Sequence, residues 1–352
     1  MVRKLPTKNF GNGFPTKVNF LMENYTVKIL VVRYSSIGDI VLTTPIVRCL
    51  KQQLEGNVEI HYLTKKSYRS LLENNPYITK IHTIEKNNSE VVEQLKNEQF
   101  DYIIDLHKNL RSKGISRKLG TLRFTFDKLN VKKWLLTNFK INTLPDIHIV
   151  DRYFEAVKCL GVENDGKGLD FFLTENDKVT NLPETHNNGY VTIAIGAQFA
   201  TKCLPTNKLV ELCNLIYQPI ILAGGKEDKQ KANAIISHSS NKTIYNACGK
   251  YSINQSAFIV KNSKTLITHD TGLMHIGAAL GVNIISIWGN TVPIFGMYPY
   301  LPKEKYVIIE NNNLNCRPCS KIGYDACPKK HFKCMNDLSM QEVVDNLFRI
   351  RD

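Results

Sequence analysis

Residues 33–45 read RYSSIGDIVLTTP, and residues 269–281 read HDTGLMHIGAALG. Each stretch follows a short apolar run, Val27 to Val32 in the first case and Thr265 to Thr268 in the second, and each opens an amphipathic helix. A strand that hands over to a helix through glycine and small polar residues places those residues at its carboxyl end, where open α/β sheets bind ligands. Two such handovers far apart in the chain predict two sheets sharing one cleft.

Working outward, strand-like and helix-like segments alternate. The first half runs KILVVRY, a helix through Val47 to Leu54, VEIHYLT, a helix around Ser67 to Leu72, KIHTI, a helix through Val91 to Lys96, and FDYIIDLH. The second half restarts with YVTIAIG, QPIILAGG, KTIYNAC, KTLITHD and NIISIWG. This spacing predicts parallel βαβ units with buried strands, an α/β class.

The expected division is a polar, basic leader or upstream-start artefact at 1–26, a first domain at 27–174, a proline-bearing linker at 175–187, a second domain at 188–338 that includes a cysteine-rich tail, and a closing helix at 339–352. Asp151 to Gly161 reads as a helix ended by glycine. A length of 352 residues with 43% apolar content suits two cores. No run approaches the roughly 18 to 20 apolar residues of a membrane span, and no export signal opens the chain, so the expected location is cytoplasmic. Nine cysteines in that setting read as reduced thiols.

The formal net charge of +14 calls for an anionic partner: nucleic acid, a phosphorylated small molecule or an acidic membrane surface. Lys108 to Lys140 concentrates ten basic residues against the single acid Asp127, with Phe124, Phe126, Trp134, Leu135, Leu136 and Phe139 interspersed. It reads either as a solvated face or, preferably, as a docking surface for an anionic, partly lipidic ligand. No nucleic-acid motif accompanies the charge, so no nucleic-acid partner is expected.

Ser35, Ser36 and Gly38 permit a sharp exit from the first strand, leaving Asp39 at a helix start as either a cap or a general base. Asp270, Thr271 and Gly272 would offer oxygens and free N–H groups at a helix N-terminus, suited to a diphosphate. His275, one turn in, is either a packed or a functional histidine. Thr201 and Lys202 stand in IGAQFATKCLP, where a lysine can neutralise a leaving diphosphate. In LAGGKEDK, Gly224 makes the turn, and Glu227 or Asp228 could bond a ribose or simply suit the first helical turn.

In this order, SxGD with TxP, GA with TK, GG-x-ED, and DTGLMHIGAALG followed by WGNTVP resemble the family 9 glycosyltransferases, which include the ADP-heptose:lipopolysaccharide heptosyltransferases of Gram-negative bacteria. The resemblance runs from about Val27 to the C-terminus. It implies a GT-B fold of two Rossmann-like domains facing across a cleft and an inverting transfer that requires no metal cofactor, with an ADP-sugar as donor. By that resemblance Asp39 is the base and Lys202 with Thr201 holds the diphosphate. Asp270, Thr271 and Gly272 match the family's donor-binding loop and Glu227 or Asp228 its ribose-contacting acid, and Gly38, Gly224 and His275 are expected beside them in donor binding. The acceptor, an anionic lipid-linked saccharide, would meet Lys65, Lys66, Arg69, Arg111, Lys113, Arg117 and Lys118, with peripheral membrane contact at the inner face of the inner membrane. The tail set Cys316, Cys319, Cys327, His331 and Cys334 has metal-ligand types, but its spacing fits no zinc module, and reduced thiols are the preferred reading.

Overall fold

The computed structural model describes residues 26–350. The leader expected at 1–26 lies outside them except for Thr26, which begins the first strand. Two compact units emerge. The first comprises residues 26–35, Thr43–Asp127 and Asp151–Lys167; the second comprises Ser36–Leu42, Lys128–Val150 and residues 168–350.

The first unit holds β1 (Thr26–Val32), β2 (Asn57–Lys65), β3 (Lys80–Ile84), β4 (Tyr102–Asp105) and β5 (Leu122–Thr125), all parallel in the order β3-β2-β1-β4-β5. Central β1 is covered on both faces, which is why its sequence is a nearly unbroken apolar run. Its register pairs Val32 with Leu63 and with Asp105, so β1 and β4 end at one level and β2 runs two residues beyond them. Leu30, Val32, Leu63, Ile84, Leu95, Phe100, Ile103 and Ile115 form the core on one side.

The second unit holds β6 (Val191–Ala194), β7 (Ile220–Ala223), β8 (Ile244–Asn246), β9 (Thr265–His269), β10 (Ile284–Trp288) and β11 (Tyr306–Glu310), parallel in the order β11-β10-β9-β6-β7-β8. In both sheets the first strand is central and the strand order reverses beside it, at β1/β4 and at β6/β9. Ligand sites form at such switch points. Both stretches quoted above leave strands that border one. The closing helix, Met340–Arg349, buries Met340, Val343, Val344 and Leu347 against the helix Thr206–Leu215. That i, i+3, i+4, i+7 stripe was readable in advance.

Several expectations change. The segment read as a linker at 175–187 packs into the second unit, because Val179 and Leu182 join a core with Tyr190, Ile221 and Ile259 and His186 bonds the Ile220 carbonyl at 3.1 Å. Lys66–Leu71 is a 3-10 helix, and Asp151 to Gly161 divides into a helix Ile149–Phe154 and a 3-10 turn Lys158–Leu160. Two edge strands, β5 and β11, were not anticipated. LRFT sits half-exposed within the basic run, which is itself the helix Leu110–Leu119, β5 and the helix Asn130–Phe139. No described helix is long and apolar enough to cross a membrane.

One ion pair ties the first unit's end to its helix Thr44–Gln53. Arg48, 2% exposed, grips Asp165 with both arms, Nε to Oδ2 at 2.9 Å and Nη2 to Oδ1 at 2.8 Å. The guanidinium pulls the Asp165 carboxyl down to about 2. A carboxylate with a depressed pKa stabilises the fold above its unfolded value near 3.9 and loses that contribution as the pH falls through the folded value; the displacement corresponds to roughly 2 kcal/mol. Asp165→Asn also leaves a buried guanidinium uncompensated, so a loss of about 2–4 kcal/mol is expected at pH 7. In denaturant titrations the gap from the parent protein should close between about pH 4 and 2.

Candidate active site

The five-residue helix Ile37–Val41 starts where β1 releases the chain. Ser36 is its N-cap residue, and Asp39, three positions on, reaches back: its Oδ2 accepts from the Ser36 hydroxyl at 2.7 Å and from the Ser36 amide at 3.2 Å. Asp39 is thus not itself the cap residue, but its carboxylate is held by a capping interaction. The carboxylate is half-buried.

This short helix packs against the helix Gly272–Ala279, and glycines make the approach feasible. A Cβ on Gly272 would lie 2.7 Å from Ile37 Cβ and 3.2 Å from the Gly38 nitrogen, and one on Gly38 would collide with the His275 ring. His275 is 2% exposed, and burial pushes its pKa down to about 4 although the charges of Asp270 and Asp39 oppose that shift. The ring is therefore neutral at pH 7 and packed between the two acids. The structure places the His275 ring against Gly38, with its buried Nδ1 left without a hydrogen-bond partner.

Lys202, on the 3-10 turn Ala200–Lys202, is fixed by Asp270. Its Nζ donates to Asp270 Oδ2 at 2.6 Å and to the Asp270 carbonyl at 3.2 Å, while Thr291 Oγ1 donates to the same Oδ2 at 3.0 Å. Asp270 is thus the ion-pair partner of Lys202. Thr271 is the N-cap residue of the helix Gly272–Ala279, so the free N–H groups of that first turn sit beside the ammonium. Lys202, Asp270, Thr271, Gly272, His275, Gly38 and Asp39 are brought together within the second unit.

For Thr201 the structure differs from the diphosphate contact expected of it. It is 2% exposed, and its hydroxyl donates to the Tyr324 carbonyl at 2.9 Å and accepts from the Tyr324 amide at 2.8 Å, leaving nothing for a diphosphate. Of the two acids after β7, Asp228 turns inward, accepting from the Gly225 amide at 2.9 Å, and burial raises its pKa. Its side chain fills the space above Gly196 and Gly224, so Gly224 is required for clearance. Glu227 is exposed and is the acid of the pair left facing outward.

Three residues that sequence reading missed hold this loop system. Lys231, whose pKa burial lowers, donates to the carbonyls of Ile195 at 3.0 Å and Leu204 at 3.1 Å. His269, kept neutral with its pKa pushed down to about 3 by burial, accepts the Leu204 amide at 2.9 Å. Together they pin both ends of the loop that presents Lys202. Arg317 bonds the carbonyls of Trp288 and Thr291 and pairs with Glu310 at 2.8 Å, fixing the segment that carries Thr291. In the first unit Arg33 holds the exit turn of β1, donating to the Leu106 carbonyl at 2.6 Å and the Ser35 carbonyl at 2.8 Å.

The expected acceptor cations divide into two groups within the first unit. Lys65 and Lys66 line a cavity of about 450 Å³ with Ser67, Ile84 and Glu85 at the end of β2, where Lys66 pairs with Glu85 at 2.8 Å. Arg69 is paired with Glu73 at 2.8 Å. Arg111 lies over the Tyr34 ring at 5.8 Å, beside His107, which meets Tyr34 edge-on at 5.1 Å; Lys113, Arg117 and Lys118 are exposed farther along the same helix. Tyr34 donates to Asn88 Oδ1 at 3.0 Å. Arg111, Tyr34 and His107 therefore mark the end of β1 and β4.

All nine cysteines are free thiols. In the tail, Cys316 Sγ stands 3.9 Å from His331 Nε2, and burial pushes the thiols of Cys319 up to about 11 and Cys334 up to about 12. Protonated sulfurs are poor ligands until a metal displaces the protons.

A family model described as glycosyltransferase family 9 (heptosyltransferase) matches residues 89–329. The lipopolysaccharide heptosyltransferase 1 of Campylobacter coli is 25% identical over 290 residues, covering 75% of this chain and 84% of that protein. Among solved structures, the family 9 glycosyl transferase of Veillonella parvula aligns with a TM-score of 0.72 at 20% identity over 92% of this chain and 97% of the other. The Escherichia coli ADP-heptose lps heptosyltransferase II aligns with a TM-score of 0.68 at 19% identity over 92% and 98%.

Proposed function

Because the chain belongs to glycosyltransferase family 9, we propose that it transfers a heptose from ADP-heptose to an anionic lipid-linked acceptor of lipopolysaccharide core assembly, with inversion at the anomeric carbon. Its fold is GT-B, built from two Rossmann-like α/β units. The observation that carries the reading is the grouping of Asp39 with the Lys202–Asp270 pair and the first turn of Gly272–Ala279 around one buried histidine.

An acceptor hydroxyl attacks the anomeric carbon, its proton passes to the Asp39 carboxylate, and the bond from that carbon to the diphosphate oxygen breaks with the electron pair leaving on ADP. Lys202 and the helix N-terminus supply positive charge where the diphosphate gains negative charge, a part otherwise taken by a metal ion. Attack from the face opposite the leaving group inverts the centre. Glu227 is the carboxylate we assign to the ribose hydroxyls. On the acceptor side, Arg111 and Lys65 offer charge for anionic groups. The helix Asn130–Phe139 exposes Val131, Trp134 and Phe139 beside Lys132, a face suited to a lipid-bearing substrate at the inner face of the inner membrane.

The names of the related proteins support ADP-heptose as donor and lipopolysaccharide as destination. Transfer assays offering ADP-heptose beside UDP- and GDP-hexoses should give product from ADP-heptose alone. Transfer only from a hexose donor would assign the chain another nucleotide-sugar within the same family.

A further inference from the structure

Two histidines and a glutamate in the first unit take no part in the site above. His61 of β2 and His82 of β3 are 2% and 1% exposed, and His61 Nδ1 lies 2.9 Å from His82 Nε2. Glu98, the last residue of the helix Val92–Glu98, brings Oε2 to 4.0 Å from His61 Nδ1, and one ligand atom from each of the three residues falls within 4.8 Å of the others. We propose that His61, His82 and Glu98 form a structural site for a divalent transition-metal ion of the zinc class, clipping β2, edge strand β3 and this helix together.

The placement follows from register. His61 pairs with Lys80 and Leu63 pairs with His82, so the two imidazoles are diagonal neighbours on one face of the sheet, with ring centroids 5.2 Å apart. Burial lowers both histidine pKa values, that of His82 to about 4, so both rings are neutral and have lone pairs to give. Lys80 keeps the Glu98 carboxyl ionised. Two neutral imidazoles and one carboxylate make a ligand set suited to zinc.

Zinc–nitrogen bonds of 2.0–2.1 Å in tetrahedral geometry call for nitrogens about 3.3 Å apart, so the pair must open by only a few tenths of an ångström. Glu59 Oε2 is 3.8 Å from His61 Nε2, and the outer Nδ1 of His82 has no hydrogen-bond partner, so each ring can carry its proton on the outer nitrogen when a metal takes the facing pair. A hydrogen-bonded histidine pair alone would not need a carboxylate facing it. The resident cation is Lys80, whose Nζ holds Glu98 Oε1 at 2.5 Å. Its side chain is 46% exposed and can turn into solvent, and Oε2 is the oxygen nearer His61. Lys80 is therefore a competitor, which gives the site a signature that a merely structural trio lacks.

The test is zinc titration by calorimetry, together with cobalt(II) absorption, on the full chain and on His82→Gln, Glu98→Gln and Lys80→Gln variants. Cobalt separates this site from the tail cysteines, because only thiolate ligation adds strong sulfur-to-metal charge-transfer bands. One equivalent bound without those bands is expected, at least about tenfold weaker in Glu98→Gln and His82→Gln and several-fold tighter in Lys80→Gln. Unchanged zinc affinity in Glu98→Gln and Lys80→Gln, or cobalt bands of thiolate type alone, would overturn the proposal. Lys80 begins edge strand β3 and Glu98 ends a helix, so those two substitutions keep the test decisive even if His82→Gln fails to fold.

Discussion

Asp39→Asn is expected to lower kcat for sugar transfer by about 10²- to 10⁴-fold while the affinity for ADP changes little. The separation of the two effects is what identifies a base. Asparagine keeps an oxygen that can accept from the Ser36 amide and hydroxyl, so the capping arrangement at Ile37–Val41 survives and the helix still meets Gly272. What it cannot do is take a proton from an acceptor hydroxyl. A companion variant, Ser36→Ala, removes the bond that orients Asp39 without removing the carboxylate, and should lose about tenfold or less. The measurement is steady-state transfer beside ADP binding by calorimetry. Near-normal transfer in Asp39→Asn would leave Asp39 as a helix cap and nothing more.

The contrast between these two variants also shows what a sequence can and cannot say about such a site. The strands were legible because a strand buried on both faces must be a continuous run of Val, Ile and Leu, as in KILVV and TLIT, and because glycine is needed where Gly38 and Gly272 let two helices touch. Asp39 and Lys202 were legible because both follow strand ends. Partners distant in the chain were not. Nothing near Thr201 announces that Tyr324, 123 residues away, consumes its hydroxyl, and no periodicity marks Lys231 or Arg317 as buried cations serving loop carbonyls. The cations assigned to the acceptor divide the same way. The pairing of Arg69 with Glu73 is an i, i+4 contact that spacing alone suggests, whereas Lys66 with Glu85 depends on β2 lying beside β3. The same strand pairing creates the His61–His82 contact, invisible in residues 21 positions apart.

The Lys202–Asp270 pair makes the second large effect, and its expected signature is non-additivity. Lys202→Ala removes the ammonium beside the first turn of Gly272–Ala279 and should cost about 10²- to 10³-fold in kcat/KM for the donor, the loss typical when one group stabilising a developing anion is deleted. Part of that cost has a separate origin. The Asp270 carboxylate, 13% exposed at its side chain, would remain with only the Thr291 hydroxyl on Oδ2, a bare negative charge next to where the diphosphate must sit. In Lys202→Ala/Asp270→Asn that repulsion is gone, so the double variant should transfer faster than Lys202→Ala alone, by roughly tenfold for a repulsion near 1.4 kcal/mol. Asp270→Asn by itself keeps the ammonium but loosens it, and should raise KM more than it lowers kcat. A double variant no faster than Lys202→Ala would mean that Asp270 stands too far from the donor phosphates to repel them, and that its only task is to aim the lysine.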